Sequence, residues 1–190
     1  MVSKRHTRMA PAGIQRQLQR MFIPAQLMYG AQLDGQPAGP YLSGVNYFWD
    51  FDEALKQEVY LVIPVPLDWI AGSVSWAYPV FSMNVNLYAQ VRWGLEYLPH
   101  VKGMSIAGIT NVIEGNFDAD GTGTVIPPKS QWLTLRGDLL PGGEPAFQRD
   151  NFTTLAHVAA KLYRDGASAL DNHPGHAYLY GLAVVYEAFV

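Results

Sequence analysis

Residues 45–52 read Val-Asn-Tyr-Phe-Trp-Asp-Phe-Asp (VNYFWDFD), and this octet sets the expected architecture. Val45, Tyr47, Trp49 and Phe51 alternate with Asn46, Asp50 and Asp52. A two-residue period of this kind belongs to a strand with one buried and one wet face. The period recurs downstream. EVYLVIPVP (58–66) is a more continuously apolar strand whose Pro64 and Pro66 suggest an edge position or an early end. Val74, Trp76 and Tyr78 alternate with Ser73, Ser75 and Ala77, and Val85, Leu87, Ala89, Val91 and Trp93 alternate with Asn86, Tyr88, Gln90 and Arg92.

Residues 95–128 are rich in Gly, Asn and Asp and read as loops with short strands, MSIAGITNVIEG (104–115) among them. QWLTLRGDL (131–139) is a further strand, and so is TTLAHVAAKLYRD (153–165), whose alanines also admit a helix. In AYLYGLAVVYEAFV (177–190) both alternating faces are apolar, the pattern of a strand covered on two sides and hence central in its sheet. Short strands, many turns, few helices and 13% aromatic residues predict an all-β, antiparallel sandwich or barrel over 45–190.

Upstream, residues 1–44 are broken by Pro11, Gly13, Pro24, Gly30, Gly35, Pro37, Gly39, Pro40 and Gly44, leaving room for at most one short helix near Ile14–Phe22. The segment reads as an extended arm. It carries Met21, Phe22, Ile23, Leu27, Met28, Tyr29 and Leu33, too much apolar surface for a solvated linker, so it is expected to lie against something.

Charge divides the chain along the same line. Of thirteen Lys+Arg, five (Lys4, Arg5, Arg8, Arg16, Arg20) fall in the first twenty residues, leaving eight cations against sixteen acids in the remainder, a net −8. Such a body repels a phosphate backbone, so nucleic acid is not an expected partner of the folded part. No apolar run is long enough to span a membrane, and the leader lacks the apolar core of a secretory signal. Cysteine is absent, which excludes disulfides, thiolate metal sites and cysteine nucleophiles.

Motifs for chemistry are sparse. In NFDADGTGTVIP (116–127), Asn116, Asp118, Asp120 and Gly121 occupy the first, third, fifth and sixth places of a calcium loop, but Pro127 stands where the bidentate acid belongs. An Asx/Gly turn is the favoured reading, with calcium as the one cofactor to test. His173 and His176 in DNHPGH flank a Pro-Gly turn and read as a polar contact loop. Trp69, between two strands in PLDWIAG, is the tryptophan expected to be exposed, while Trp49, Trp76, Trp93 and Trp132 are expected to pack inward. No nucleophile elbow, Walker loop or dinucleotide fingerprint is present, and no catalytic residues are assigned.

YFWDFD (47–52), VYLVIPVPLDWIAGSV (59–74), AQVRW (89–93), LAHVAAKLYRD (155–165) and YLYGLAVVYEAFV (178–190), in this order, resemble a group of tailed-bacteriophage virion proteins. The group usually has Met-Pro where this chain has Ile63-Pro64, and the insert around 108–145 is long for it. The resemblance implies a jelly-roll sandwich and a non-enzymatic role as a capsid decoration or cement protein, with a tail-fibre or baseplate receptor-binding module, for glycan or protein, as the alternative. It implies a homotrimer at the virion surface, with the major capsid protein or other virion subunits as partners. Lys4, Arg5, Arg8, Arg16, Arg20, Phe22 and Tyr29 are then the docking residues of the arm, and Trp69, His173 and His176 the loop contacts.

Overall fold

The computed structural model of the protein describes residues 15–30, 37–66, 68–69, 73–100, 111–135 and 157–189. Eleven strands occur among them: β1 (Arg16–Pro24), β2 (Tyr29–Gly30), β3 (Ala38–Ser43), β4 (Asn46–Phe51), β5 (Lys56–Pro64), β6 (Ser75–Met83), β7 (Ala89–His100), β8 (Asn111–Ala119), β9 (Leu133–Leu135), β10 (His157–Asp165) and β11 (Ala177–Phe189). Two antiparallel sheets stack as a sandwich. Sheet A runs β3-β4-β11-β6-β9 with β1 also paired to β11, and sheet B runs β2-β5-β10-β7-β8.

From β4 onward this is a jelly roll. Its eight strands divide so that the first, eighth, third and sixth form sheet A and the second, seventh, fourth and fifth form sheet B. The core lies between Phe51, Phe81, Leu179 and Leu182 of sheet A and Val59, Trp93, Leu95 and Leu162 of sheet B. Trp93 is its centre, with the Phe51 ring 5.0 Å and the Phe81 ring 5.5 Å away. The C-terminal strand is central, as its two apolar faces predict, lying between β6 on one edge and β4 and β1 on the other.

The N-terminal segment is extended, but its described part belongs to this chain's own sandwich. β1 pairs with β11 over its whole length, from Arg16↔Phe189 to Pro24↔Gly181. A single 3-10 turn (Ala25–Leu27) carries the chain across to sheet B, where Tyr29 pairs with Tyr60 of β5. Ile23, Ala25 and Met28 are buried in the core, and the Trp49 indole donates to Ala25 O at 3.1 Å. Burying Ile23 and Met28 contributes about 1.5–3 kcal/mol each, which anchors the strap. The short helix admitted near Ile14–Phe22 is therefore a strand, because alternating Met21 and Ile23 meet the core while Phe22 does not.

The expected boundary at residue 44 falls inside a hairpin. β3 and β4 pair Ser43 with Asn46 across the two-residue loop Gly44–Val45, and Gly44 has φ +62, the left-handed backbone such a loop needs. Thus residues 37–44 continue the sandwich instead of preceding it. The alternation in VNYFWDFD holds, although only Trp49 and Phe51 reach the core: Val45 sits in the turn, and Tyr47 lies in the part of the hairpin that stays exposed.

Candidate functional site

The outer faces of the two sheets differ. On sheet B, Lys161 of β10 reaches Glu58 at 3.2 Å and Glu96 at 2.8 Å. Arg92 pairs with Glu114, and Tyr163 donates to the same carboxylate at 2.6 Å. The Tyr163 ring covers Gly94, where any Cβ would collide with it, and Lys56 caps the ring at 4.2 Å. Burial and the acceptor Glu114 push the Tyr163 phenol far up, so it stays a donor. The same hydrogen bond, helped by Arg92, holds the Glu114 carboxyl below its ordinary value.

Sheet A presents aromatic rings instead. Because β4 turns Trp49 and Phe51 inward, Phe48 and Asp50 face outward, and the register sets Tyr41 of β3 beside Phe48 and Tyr178 of β11 beside Asp50. Ring centroids are 5.6 Å apart for Tyr41–Phe48, 5.0 Å for Phe48–Tyr178 and 6.4 Å for Phe48–Tyr180. Tyr41 is 49% exposed, and the other three are half-buried.

Further along the face, Trp132 stacks on Tyr78 at 5.0 Å and meets Trp76 edge-on at 6.4 Å. Arg20 lies over Tyr78 and Lys129 over Trp76, at 5.8 and 4.7 Å. β1 adds Arg16, Leu18, Arg20 and Phe22 in one outward row. Gly181 is overlain by the Phe22 ring, which leaves no space for a Cβ there.

Next to Tyr178, His176 sits among acids. Its Nδ1 is 2.7 Å from Asp50 Oδ1 and its Nε2 is 3.0 Å from Glu53 Oε2. Asp50, Asp52, Gln57, His176, Pro37 and Ala38 line an open pocket here. Ligand atoms of Asp52, Glu53 and His176 lie within 4.8 Å of one another, an O,O,N set that one divalent ion can bridge.

What holds His176 in place is buried. Arg164 and Asp171, both with fully buried side chains, form a two-pronged ion pair at 2.8 and 2.9 Å. The remaining guanidinium hydrogens go to the carbonyls of Gly175 (2.7 Å), His173 (3.1 Å) and Phe51 (3.3 Å). A satisfied arginine thus ties the β10–β11 connection to the end of β4.

The loop contacts read from sequence are corrected accordingly. His173 is 2% exposed; its Nδ1 accepts from Gly175 N and its Nε2 faces Leu87 O, at 3.2 Å each, and burial pushes its pKa down. Trp69 is 8% exposed, with its indole donating to Ser73 Oγ at 2.8 Å and its backbone bridged to Ala188, so it is a core residue. Trp76 and Trp132, expected inside, are half-buried and pack against the core residue Tyr78 from the outer side, since Ser75 and Ala77 fill the inward positions of β6. Of the three loop contacts, His176 alone reaches the surface pocket.

Of the arm residues, Lys4, Arg5 and Arg8 lie outside the described residues, whereas Arg16, Arg20 and Phe22 share the outer face of sheet A and Tyr29 is exposed on sheet B. Asn116 and Asp118 belong to strand β8, not to a loop. The Asp118 oxygens accept from Gln90 (3.2 Å) and Gln131 (2.6 Å), and Asn116 is engaged by Arg92 at 3.2 Å. Only Asp120 stands beyond the strand, before the turn at Gly121. Sequence spacing missed the Tyr41–Phe48–Tyr178–Tyr180 row because it joins three strands; the outward aromatics of β4 and β11 were its one legible trace.

No protein-family model matches the chain, and no curated protein matches it. Among solved structures it is similar to a carbohydrate-binding module, TmCBM61, determined in complex with β-1,4-galactotriose. Identity is 10% and the TM-score is 0.33, over 88% of this chain and 86% of the other. Among the described residues, no helix is long and apolar enough to cross a membrane.

Proposed function

We propose that this protein is a non-catalytic structural subunit that assembles through the outer face of sheet A, and that its setting is a virion, where it decorates the shell. One observation carries the assembly part: sheet A leaves Tyr41, Phe22 and Leu18 about half exposed beside the linked rings of Phe48, Tyr178 and Tyr180. Exposed contiguous aromatics of this kind mark surfaces that a partner covers. The virion setting rests on the resemblance of residues 47–190 alone. Particles lacking the subunit provide the test: added wild-type protein should co-sediment with them, and the double substitution Tyr41→Ser with Tyr178→Ser should abolish this. Co-sedimentation indifferent to those substitutions would overturn the reading.

A second reading has its own observation in the pocket of Asp50, Asp52, Gln57 and His176 beside the Phe48 and Tyr178 rings. Rings that receive the C–H face of a sugar, next to carboxylates that accept its hydroxyls, suit a receptor glycan. Specific adsorption to host cells, lost on Tyr178→Ser, would favour this role over decoration.

A further inference from the structure

The outer face of sheet A is charged oppositely at its two ends. At one end stand Asp50, Asp52 and Glu53, with His176 as the local counter-group. At the other stand Arg16, Arg20 and Lys129, with Glu187 lying 3.9 Å from Arg16 as the facing acid. Tyr178 marks the acidic end of β11, where it pairs with Asp50, and Val185 marks the basic end, where it pairs with Arg20. Seven residues of strand separate them, about 23 Å at ~3.3 Å per residue. Between the ends lie the rings of Phe48, Tyr180 and Phe22.

Topology makes this face self-complementary. β4 and β1 pair with the same edge of β11, β4 along 177–179 and β1 along 181–189, so they lie end to end. Consider a two-fold axis in the plane of contact and perpendicular to the strands. It reverses strand direction but keeps the order of strands across the sheet. The operation therefore sets β1 of one copy over β4 of the other, and acidic end over basic end twice. Arg20 meets Asp50 of the second copy, Phe22 meets Phe48, and the reverse contacts follow by symmetry.

We infer that a second copy of this chain covers the outer face of sheet A, in an antiparallel two-fold pair held by Arg20–Asp50 contacts around an aromatic centre. The inference rests on reading this face as the assembly surface and names its occupant. A face that carries both halves of its own complement closes as a dimer, in place of the three-fold assembly that the family resemblance implies.

Sedimentation equilibrium of the full chain is the test. A dimer is expected at low salt, weakening as salt screens the charge contacts. Arg20→Glu alone and Asp50→Lys alone should each raise the dimer Kd about tenfold or more by setting like charges opposite. Mixed together, the two variants should pair again, because the introduced carboxylate of one then faces the introduced ammonium of the other while the native contact persists on the other side. Restoration in the mixture separates interface loss from misfolding. A second measurement avoids charge reversal: the chain has no cysteine, so Arg20→Cys mixed with Asp50→Cys should give a mixed disulfide dimer under mild oxidation, and neither variant alone should. A monomer at all concentrations, a trimer, or single variants that dimerise like wild type would overturn the pairing. A monomer that still co-sediments with particles would sink the pairing and leave attachment to the shell standing; a dimer that does not attach would sink attachment to the shell and leave the pairing standing.

Discussion

Both sheets of the sandwich have a buried face built on the same two-residue alternation, yet their outer faces follow different rules. On sheet B the surroundings of Lys161 are matched by charge: the cation bridges Glu58 on one adjacent strand and Glu96 on the other. Burial alone would pull the Lys161 pKa down; the two carboxylates outweigh it and hold the ammonium above its ordinary value. On sheet A the equivalent row carries Tyr41, Phe48 and Tyr178. The first face matches its charged groups within the chain, although Tyr29, Tyr60 and Val62 stay exposed on β2 and β5, while the second exposes a row of rings in mutual contact.

The contrast between the faces depends most heavily on Arg164, the residue that links the sheets. It projects from sheet B into the interior and fixes the connection bearing His176 at the end of sheet A. Arg164→Met should destabilise the fold by about 3–5 kcal/mol, since it strands the buried Asp171 carboxylate. Urea titration measures the loss, and an unchanged midpoint would show that the pair is dispensable.

Next in size is Gly94→Ala on sheet B. The added methyl displaces the Tyr163 ring and should cost about 1–3 kcal/mol. Tyr163→Phe keeps the ring and loses only the bond to Glu114, so about 1 kcal/mol is expected. The pH dependence follows from Glu114. Its folded pKa lies below the ordinary 4.5, so its contribution is present above that pH and is lost as pH falls through the folded value. Tyr163→Phe should flatten this acid limb in a pH series of thermal melts.

His173 acts at a higher pH. Its folded pKa is below 6.5, so the unfolded chain takes up the proton first and stability declines as pH falls below about 6.5. His173→Gln should remove that decline while lowering stability at neutral pH, and an unaltered slope on acidification from neutral pH would refute the assignment. The smallest stability effect belongs to sheet A. Tyr41→Ser should cost no more than about 1 kcal/mol, because an exposed ring pair contributes little to the isolated fold. Its effect should instead appear in self-association and particle attachment, which would set the two faces further apart.

The strands were legible because alternation is a local property. VNYFWDFD, EVYLVIPVP, AQVRW and the C-terminal stretch each carry their period within a few residues, and the two apolar faces of β11 announced its central place. Alternation is silent about direction, however. In β6 the row of Trp76 was read as the inward one, and packing against sheet B placed Ala77 and Phe81 inside and Trp76 outside. The same blindness misplaced Trp69 and His173, whose surroundings (Ser73 and Ala188 for one, Leu87 and Gly175 for the other) include backbone contacts that no residue type signals.

The candidate surface was legible only in fragments. Asp50, His176 and Tyr178 lie on two segments more than a hundred residues apart in sequence, and only the β4–β11 register makes them neighbours. Local patterning is enough to commit this chain to an all-β sandwich or barrel, because a period of two with apolar residues on one phase can bury that phase only in sheets. Where the basic N-terminal strand lies, which rings face solvent and which charges remain to be met emerge only from the folded arrangement. Those depend on strand order and register, which are set by long-range pairing and not by any local run of residues.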